Sequence, residues 1–315
     1  MRIAVFGSGG VGGYFGARLA QAGEEVVFIA RGAHLDAIRK HGLRVESYLG
    51  DFTVAARAEQ DPAAVGAVDV VLVAVKAWQL DEAASAMPPL VGSQTLIVPL
   101  LNGVEAAPRL AEVFDPPGAP VPHVIGGLCR ISALLAAPGV VRHAAIEPSI
   151  AFNRLDGQAD ARVERLRQAF DRAGVKVDVA ADIHAALWTK FAFIAPFSGL
   201  GALTRADAHT LRSLPETRRL LQAGIEEVVA VGRAHGVQLA DDLPQRILRG
   251  IDAMDGATVA SMARDIIEGR PSELEAQNGA VVRLGQAAGV ETPVNAFVYA
   301  CLLPYELRAR AAGGR

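Results

Sequence analysis

Met1 to Gly12 reads MRIAVFGSGGVG, a short apolar strand that breaks directly into glycines. Arg2 to Phe6 has the composition of a buried strand, and Val11, Tyr14, Phe15 and Leu19 recur at helical spacing. Gly7, Gly9 and Gly12 therefore fall in the turn between strand and helix. In that setting a GxGxxG turn has a use beyond flexibility. Gly7 admits the tight turn, Gly9 lets a pyrophosphate approach the backbone, and Gly12 allows close contact of helix and strand. The helix N-terminus adds free N–H groups and a partial positive charge. Gly7, Ser8, Gly9, Gly10, Val11 and Gly12 are accordingly read as a dinucleotide-binding turn.

The next strand, Glu25 to Ala30, ends at Arg31. A site that prefers NAD carries an acidic residue there, about twenty residues past the glycines, to accept from the adenosine ribose hydroxyls. Arg31 cannot accept. It is either a solvated residue at a helix start or a partner for a 2′-phosphate, and the second reading predicts NADPH over NADH. Further strands are expected at Val68 to Val75, Thr95 to Leu100 and Val121 to Gly126, with helices between them. This alternation predicts an α/β, doubly wound parallel sheet covered on both faces. A hairpin-like stretch from Gly139 to Phe152, a helix through Val163, Leu166 and Phe170, and a strand from Val175 to Val179 follow. Beyond Asp182 the strand signal stops. Helical spacing covers Ile183 to Leu200, Glu216 to His235, Ala257 to Ile267, Leu274 to Ala288 and Thr292 to Arg310. The expected division is a sheet domain over 1–181 and an all-α domain over 182–315. Gly118 to Pro122 reads as a rigid turn, and Ala311 to Arg315 as a frayed tail.

Composition narrows the function classes. The 315 residues carry a formal charge of −3 with both signs interleaved, which leaves no electrostatic footprint for nucleic acid or an anionic membrane. The expected partners are small molecules and other subunits, a second copy of the chain included. Cys129 and Cys301 lie far apart without metal or redox spacing, so neither a disulfide framework nor a zinc site is expected. The seven histidines lack paired spacing, so no metal is expected, and His34, His184 and His235 read as helix-surface residues. No leader and no uninterrupted apolar run near the roughly 20 residues of a membrane helix is visible, and a cytoplasmic protein is expected.

Two strands deliver polar residues at their carboxyl ends, Lys76 after Val70 to Val75 and Asn102-Gly103 after Thr95 to Leu101. In an open α/β sheet these ends line the ligand crevice. Farther on, LWTKFAFIAPFSGLGALTR sets Lys190 among Leu187, Trp188, Phe191 and Phe193. Such a lysine either snorkels or works. Burial disfavours the ammonium and suits it to proton donation, provided a carboxylate keeps it oriented, and Glu273 in SELEAQNG is the candidate. Trp78 and Trp188 flank the two lysines and are read as packing residues.

GSGGVG, VKAWQ at Lys76, LNGVE at Asn102, LWTK at Lys190, Ser261-Met262 with Asp265, and SELEAQNG at Glu273 stand in one order along nearly the whole chain. This set resembles the ketopantoate reductase (2-dehydropantoate 2-reductase) family. The resemblance implies a Rossmann domain followed by a helical domain of the 6-phosphogluconate dehydrogenase C-terminal type. It also implies use of NADPH and reduction of a 2-keto acid to the (R)-2-hydroxy acid pantoate, toward pantothenate and coenzyme A. Carried over by position, Lys190 is the general acid and Glu273 its acidic companion. Lys76, Asn102 and Glu273 contact the cofactor, Asn102 also lies near the substrate, and Ser261 binds the substrate carboxylate.

The chain departs from the family pattern at two substrate-binding positions, where Ile194 and Ser198 replace asparagines four and eight residues past the lysine; Ala208 replaces a third. Losing two hydrogen bonds, each worth roughly 0.5–1.5 kcal/mol and more to a charged group, weakens ketopantoate recognition by about ten- to a thousandfold. Arg205 is a candidate replacement contact for the carboxylate. The alternatives are a reductase of another branched or bulkier 2-keto acid, and a non-catalytic NADPH-binding sensor.

Overall fold

Residues 1–118 and 121–313 are described by a computed structural model of the chain, which forms two compact units. The first comprises Met1–Leu101 with Ala106–Ile183, and the second Asn102–Glu105 with His184–Arg315. Part of the expected turn at Gly118 to Pro122 and part of the tail at Ala311 to Arg315 lie outside the described residues.

The first unit opens with β1 (Arg2–Phe6), α1 (Gly10–Gln21), β2 (Glu25–Ile29) and α2 (Gly32–His41). β3 (Leu43–Ser47), β4 (Phe52–Val54) and β5 (Arg57–Glu59) follow, then β6 (Val68–Val73), α3 (Leu80–Ala86), β7 (Val91–Pro99) and α4 (Ala106–Phe114). β8 (Ile125–Arg130), β9 (Ala133–Ala137), β10 (Val140–His143), β11 (Ser149–Arg154), α5 (Ala161–Arg172) and β12 (Lys176–Val179) complete it. Five strands form a wholly parallel sheet in the order β5-β2-β1-β6-β7. Its central strands read as runs of valine because helices bury both faces, and Val70 to Val73 have no exposed surface at all.

Two smaller sheets complete the unit. In β12-β11-β8, β11 pairs parallel to β12 and antiparallel to β8, and a single bridge from Ile97 to Val124 continues the main sheet toward it. The strand expected at Val121 to Gly126 begins later, at Ile125, because the Asp115 carboxylate takes the N–H groups of His123 and Val124 at 2.6 and 3.0 Å. The hairpin-like stretch expected over Gly139 to Phe152 holds two strands that do not pair with each other: β11 joins β8 and β12, while β10 joins β3 and β9 in a mixed sheet β4-β3-β10-β9 that was not expected. Its strands are short, and it packs closely on the glycines of α1: a Cβ on Gly13 would sit 2.7 Å from Val141.

The second unit is helical, with α6 (Ile183–Thr204), α7 (Ala208–Ser213), α8 (Pro215–Ala234), α9 (Leu243–Asp252), α10 (Ser261–Ile267), a π-helical turn at Glu275–Gly279, α11 (Ala280–Ala288) and α12 (Pro293–Gly313). α6 is long and apolar enough by composition to cross a membrane, although Lys190 and other polar residues interrupt it, and it is mostly buried as the core helix of this unit. α7 and α9 were not expected. α9 buries Leu243, Ile247, Leu248 and Ile251 on one face, and the Asp207 carboxylate caps α7 through the Thr210 N–H at 2.9 Å. α10 starts at Ser261 rather than Ala257, because the carbonyls of Gly256 and Thr258 instead accept from the first residues of α7.

Candidate active site

β2, β1 and β6 are neighbours, so the residues that follow them share one carboxyl edge of the parallel sheet: the glycine turn after β1, Arg31 after β2 and Lys76 after β6. The order reverses between β1 and β6, the position at which such sheets bind ligands. Gly7 has φ +101°, and a Cβ there would fall 2.6 Å from the Val75 nitrogen. A Cβ on Gly12 would fall 2.1 Å from the Gly7 carbonyl oxygen, whereas nothing lies within 4 Å of one on Gly9. The turn is thus closed against the protein at Gly7 and Gly12 and open at Gly9. α1 begins behind it with no acidic residue in its first turn and no side-chain cap among the described residues, so its leading N–H groups are available to an anion. These residues fit the pyrophosphate of a dinucleotide.

Ser8 and Val11 complete the turn; Ser8 is buried and its hydroxyl donates to the Ile29 carbonyl at 3.3 Å. His34 is not the surface residue expected from its helix. α2 starts directly after β2, which brings its first turn against the glycine turn and places His34 Nε2 2.8 Å from the Ser8 carbonyl oxygen. Burial lowers its pKa, and the bond to Ser8 partly opposes the shift. Arg31 is exposed and its guanidinium meets Glu82, also exposed, at 2.9 Å. Lys76 is half-buried with its ammonium 5.8 Å from the Trp78 ring. Trp78 is 37% exposed and therefore not a core residue, unlike Trp188, which is buried edge-on against Phe191.

In the second unit, Asn102 and Glu273 come together: Asn102 Nδ2 donates to Glu273 Oε2 at 2.9 Å, and Glu273 is 5% exposed. The approach depends on Gly103, whose φ is +96° and whose Cβ would sit 2.7 Å from the Ala276 carbonyl oxygen. Ser272 fixes the backbone beside Glu273 by donating from its N–H and hydroxyl to the buried Glu306 carboxylate. The π-helical turn then carries Glu275 to Gly279 onward. Such turns recur at functional positions because the extra residue re-aims side chains within a helix.

Lys190 is half-buried on α6 and has no hydrogen-bond or ion-pair partner among the described residues. The expected Lys190–Glu273 pair is not formed among the described residues; Glu273 Oε2 accepts from the Asn102 amide instead. One turn beyond, Ile194 is half-buried; two turns beyond, Ser198 is fully buried with its hydroxyl unpaired. Gly199 lets the Asn278 amide lie against the helix, since a Cβ there would meet Asn278 Oδ1 at 2.6 Å. Ser261 is the half-buried first residue of α10, and Asp265 accepts from the Arg270 guanidinium at 2.8 Å. Arg205 is exposed just past α6 with φ +56°. Sequence reasoning missed His34, Glu306 and Asn278. Each acts through backbone or side-chain contacts with distant segments, and for these no local signal exists; only the Asn-Gly pair at 278–279 marks an unusual helix position.

A glycine turn opening onto a helix N-terminus, with a cation after the next strand, puts the chain in the class of dinucleotide-dependent oxidoreductases. Residues 3–157 match the family described as Ketopantoate reductase PanE/ApbA, and residues 182–306 match its C-terminal counterpart. The "2-dehydropantoate 2-reductase" of Mesorhizobium japonicum is 33% identical over 315 residues, covering 93% of this chain and 94% of its own. The "uncharacterized oxidoreductase YkpB" of Bacillus subtilis is 29% identical over 307 residues, covering 97% and 99%. The crystal structure of a PanE/ApbA family ketopantoate reductase from Ralstonia eutropha superposes with a TM-score of 0.88 at 32% identity, covering 98% of this chain and all of that one. The chain belongs to the ketopantoate reductase family. It is an oxidoreductase with a Rossmann-type unit and a helical unit, and it uses a nicotinamide cofactor.

Proposed function

We propose that the protein reduces 2-dehydropantoate to (R)-pantoate with NADPH, with Lys190 as the general acid. The observation that carries this reading is half-buried Lys190, whose ammonium has no partner in its own unit among the described residues, on the helix that bears the family's LWTK motif. A lysine without an internal counter-ion is free to donate to a substrate oxygen. The bound nicotinamide supplies hydride to the keto carbon. As negative charge grows on the carbonyl oxygen, the Lys190 ammonium stabilises it more than it stabilised the ground state, and its Nζ proton passes to that oxygen. Glu273, held by Asn102, contributes a fixed carboxylate, and the Ser261 hydroxyl at the start of α10 is available to the substrate carboxylate.

NADPH is favoured over NADH because the Arg31–Glu82 pair is exposed. Such pairs contribute about 0–1 kcal/mol, and a 2′-phosphate displaces Glu82 with stronger, doubly charged hydrogen bonding. A second substrate reading is supported by Ile194: its half-buried apolar side chain one turn past Lys190 suits a bulkier or more apolar 2-keto acid. The test follows NADPH and NADH oxidation against ketopantoate and a panel of branched and aromatic 2-keto acids at matched concentrations. NADPH-selective turnover of ketopantoate supports the first reading. Faster turnover of an analogue makes Ile194 and Ser198 the specificity residues, and silence across the panel overturns both.

Pro293, Phe297, Ala300, Pro304 and Leu307 form an exposed stripe along α12, alternately four and three residues apart. A second copy packed antiparallel about a twofold axis sets Phe297 of each chain against Leu307 of the other. It also brings the exposed Glu291 before one helix toward the exposed Arg308 near the end of the other, so the stripe complements itself in charge as well as shape. Cys129 and Cys301, far apart and in no disulfide, support a reducing, cytoplasmic setting for this activity, on the route to pantothenate.

A further inference from the structure

His34 joins two segments that are distant in the chain. Its Nε2–H donates to the Ser8 carbonyl at 2.8 Å, and the Gly139 N–H, in the turn between β9 and β10, donates to its Nδ1 at 2.9 Å. A backbone N–H can only donate, so Nδ1 is an acceptor and the ring is neutral, with its proton on Nε2. Both attachment points are tightly specified. Ser8 is 4% exposed inside the glycine turn, and Gly139 has φ +75° with room for no Cβ, which would fall 2.9 Å from Ala37. The same hairpin touches the turn again, where a Cβ on Gly10 would fall 2.4 Å from the Ala133 carbonyl oxygen.

We propose that neutral His34 is a positioning residue for the nicotinamide dinucleotide, clamping the Ser8 carbonyl to the Gly139 turn so that the N–H groups of the glycine turn point toward the pyrophosphate. The proposal rests on the glycine turn being the cofactor site. His34 itself touches no phosphate; it acts through the backbone of Ser8, whose peptide plane sets the direction of the Gly9 N–H. Protonation reverses the clamp's chemistry. An imidazolium carries N–H on both nitrogens, so Nδ1–H would face the Gly139 N–H, donor against donor. The groups facing the ring are the Ser8 carbonyl from the glycine turn and the Gly139 amide from the hairpin. Just before its helix Arg31 is engaged with Glu82; burial lowers the ring's pKa and the bond to Ser8 partly opposes the shift. Burial keeps the ring neutral until the pH falls below the ordinary histidine range, so cofactor affinity is level at neutral pH and drops in acid.

The test is calorimetric titration of the full chain with NADP+ at about pH 8 and about pH 5, for the wild type, His34→Gln and His34→Ala, with thermal melting of each. Glutamine supplies one donor and one acceptor and does not titrate. His34→Ala is expected to weaken NADP+ binding by roughly 5- to 50-fold at the higher pH, from the loss of two hydrogen bonds. His34→Gln is expected to stay within about threefold of the wild type there and to lose less affinity in acid. Titration of the nucleotide's own phosphate is common to all three proteins and cancels in the comparison. Wild-type affinity in a folded His34→Ala protein overturns the clamp, and so does an acid loss in His34→Gln equal to that of the wild type. If His34→Ala does not fold, the glutamine comparison decides alone. A wild type that binds neither NADP+ nor NAD+ overturns the cofactor reading and the clamp together, whereas binding that is insensitive to His34 overturns only the clamp.

Discussion

Lys190 and Arg31 divide the proposed chemistry at the level of single side chains, one serving the substrate and the other the cofactor. Replacing Lys190 with alanine should lower kcat by about 10²–10⁴-fold, the usual weight of a general acid, and leave the NADPH Kd within about threefold. Steady-state rates beside fluorescence titration check this, and unchanged turnover would remove Lys190 from the mechanism. Arg31→Ala should weaken NADPH binding by roughly 10- to 100-fold with little effect on NADH, since charge-assisted hydrogen bonds contribute about 1.5–3 kcal/mol. Equal losses for the two nucleotides would mean that Arg31 does not read the 2′-phosphate. The sequence marks both as candidates, Arg31 by its distance past the glycines and Lys190 by the LWTK motif it shares with the family, its apolar neighbours alone leaving a snorkelling lysine equally open. The partner of Glu273 was not legible in it. Asn102 lies 171 positions away and the lysine lies closer in sequence, so nothing local favoured the amide.

At the level of elements, the glycine turn separates Gly7 and Gly12, closed against the protein, from Gly9, which is open. Gly7→Ala places a Cβ 2.6 Å from the Val75 nitrogen at φ +101°, a strain of about 1–3 kcal/mol that should appear as a lower denaturation midpoint. Gly9→Ala meets nothing within 4 Å and should melt like the wild type while binding NADPH weakly. Wild-type affinity in Gly9→Ala would show that the open side of the turn is not where the pyrophosphate lies. The strand-turn-helix was legible because hydrophobic spacing and glycine spacing agree there. The four-stranded mixed sheet was not, because strands of three to five residues show too few alternations to distinguish them from loops. In β9 four of the five residues are exposed, so no buried face marks the strand at all.

For the whole molecule, acid stability and assembly are the measurable consequences. At the start of α5 the Arg162 guanidinium holds the capping Asp160 carboxyl below its ordinary pKa, and Arg154 holds Asp156 at about 2. Folded-state values below the unfolded ones stabilise the protein above the ordinary carboxyl range, and that contribution is lost as pH falls through it. Urea midpoints should therefore decline gently below about pH 6.5, where the unfolded chain protonates His34 and the folded chain resists it, and more steeply below about 4, with the steeper limb shallower in Asp160→Asn. An unchanged slope in that variant would place the acid sensitivity elsewhere. Phe297→Glu should convert a dimer to a monomer in light scattering, because a carboxylate would be buried against Leu307 of the second copy. A wild-type monomer at micromolar concentration would overturn the α12 interface.

Glycine positions, the cation after the second strand and the change from strand to helical spacing near residue 182 are local properties, and the sequence by itself determined the fold class and family from them. Contacts between remote segments were decided only by tertiary structure: Asn102 on Glu273, His34 on Ser8, and Ser272 on Glu306. The physical reason is that hydrophobic periodicity reports which face of an element is buried. The partner of a buried polar atom depends on which distant backbone closes over it, and a one-dimensional pattern carries no record of that approach.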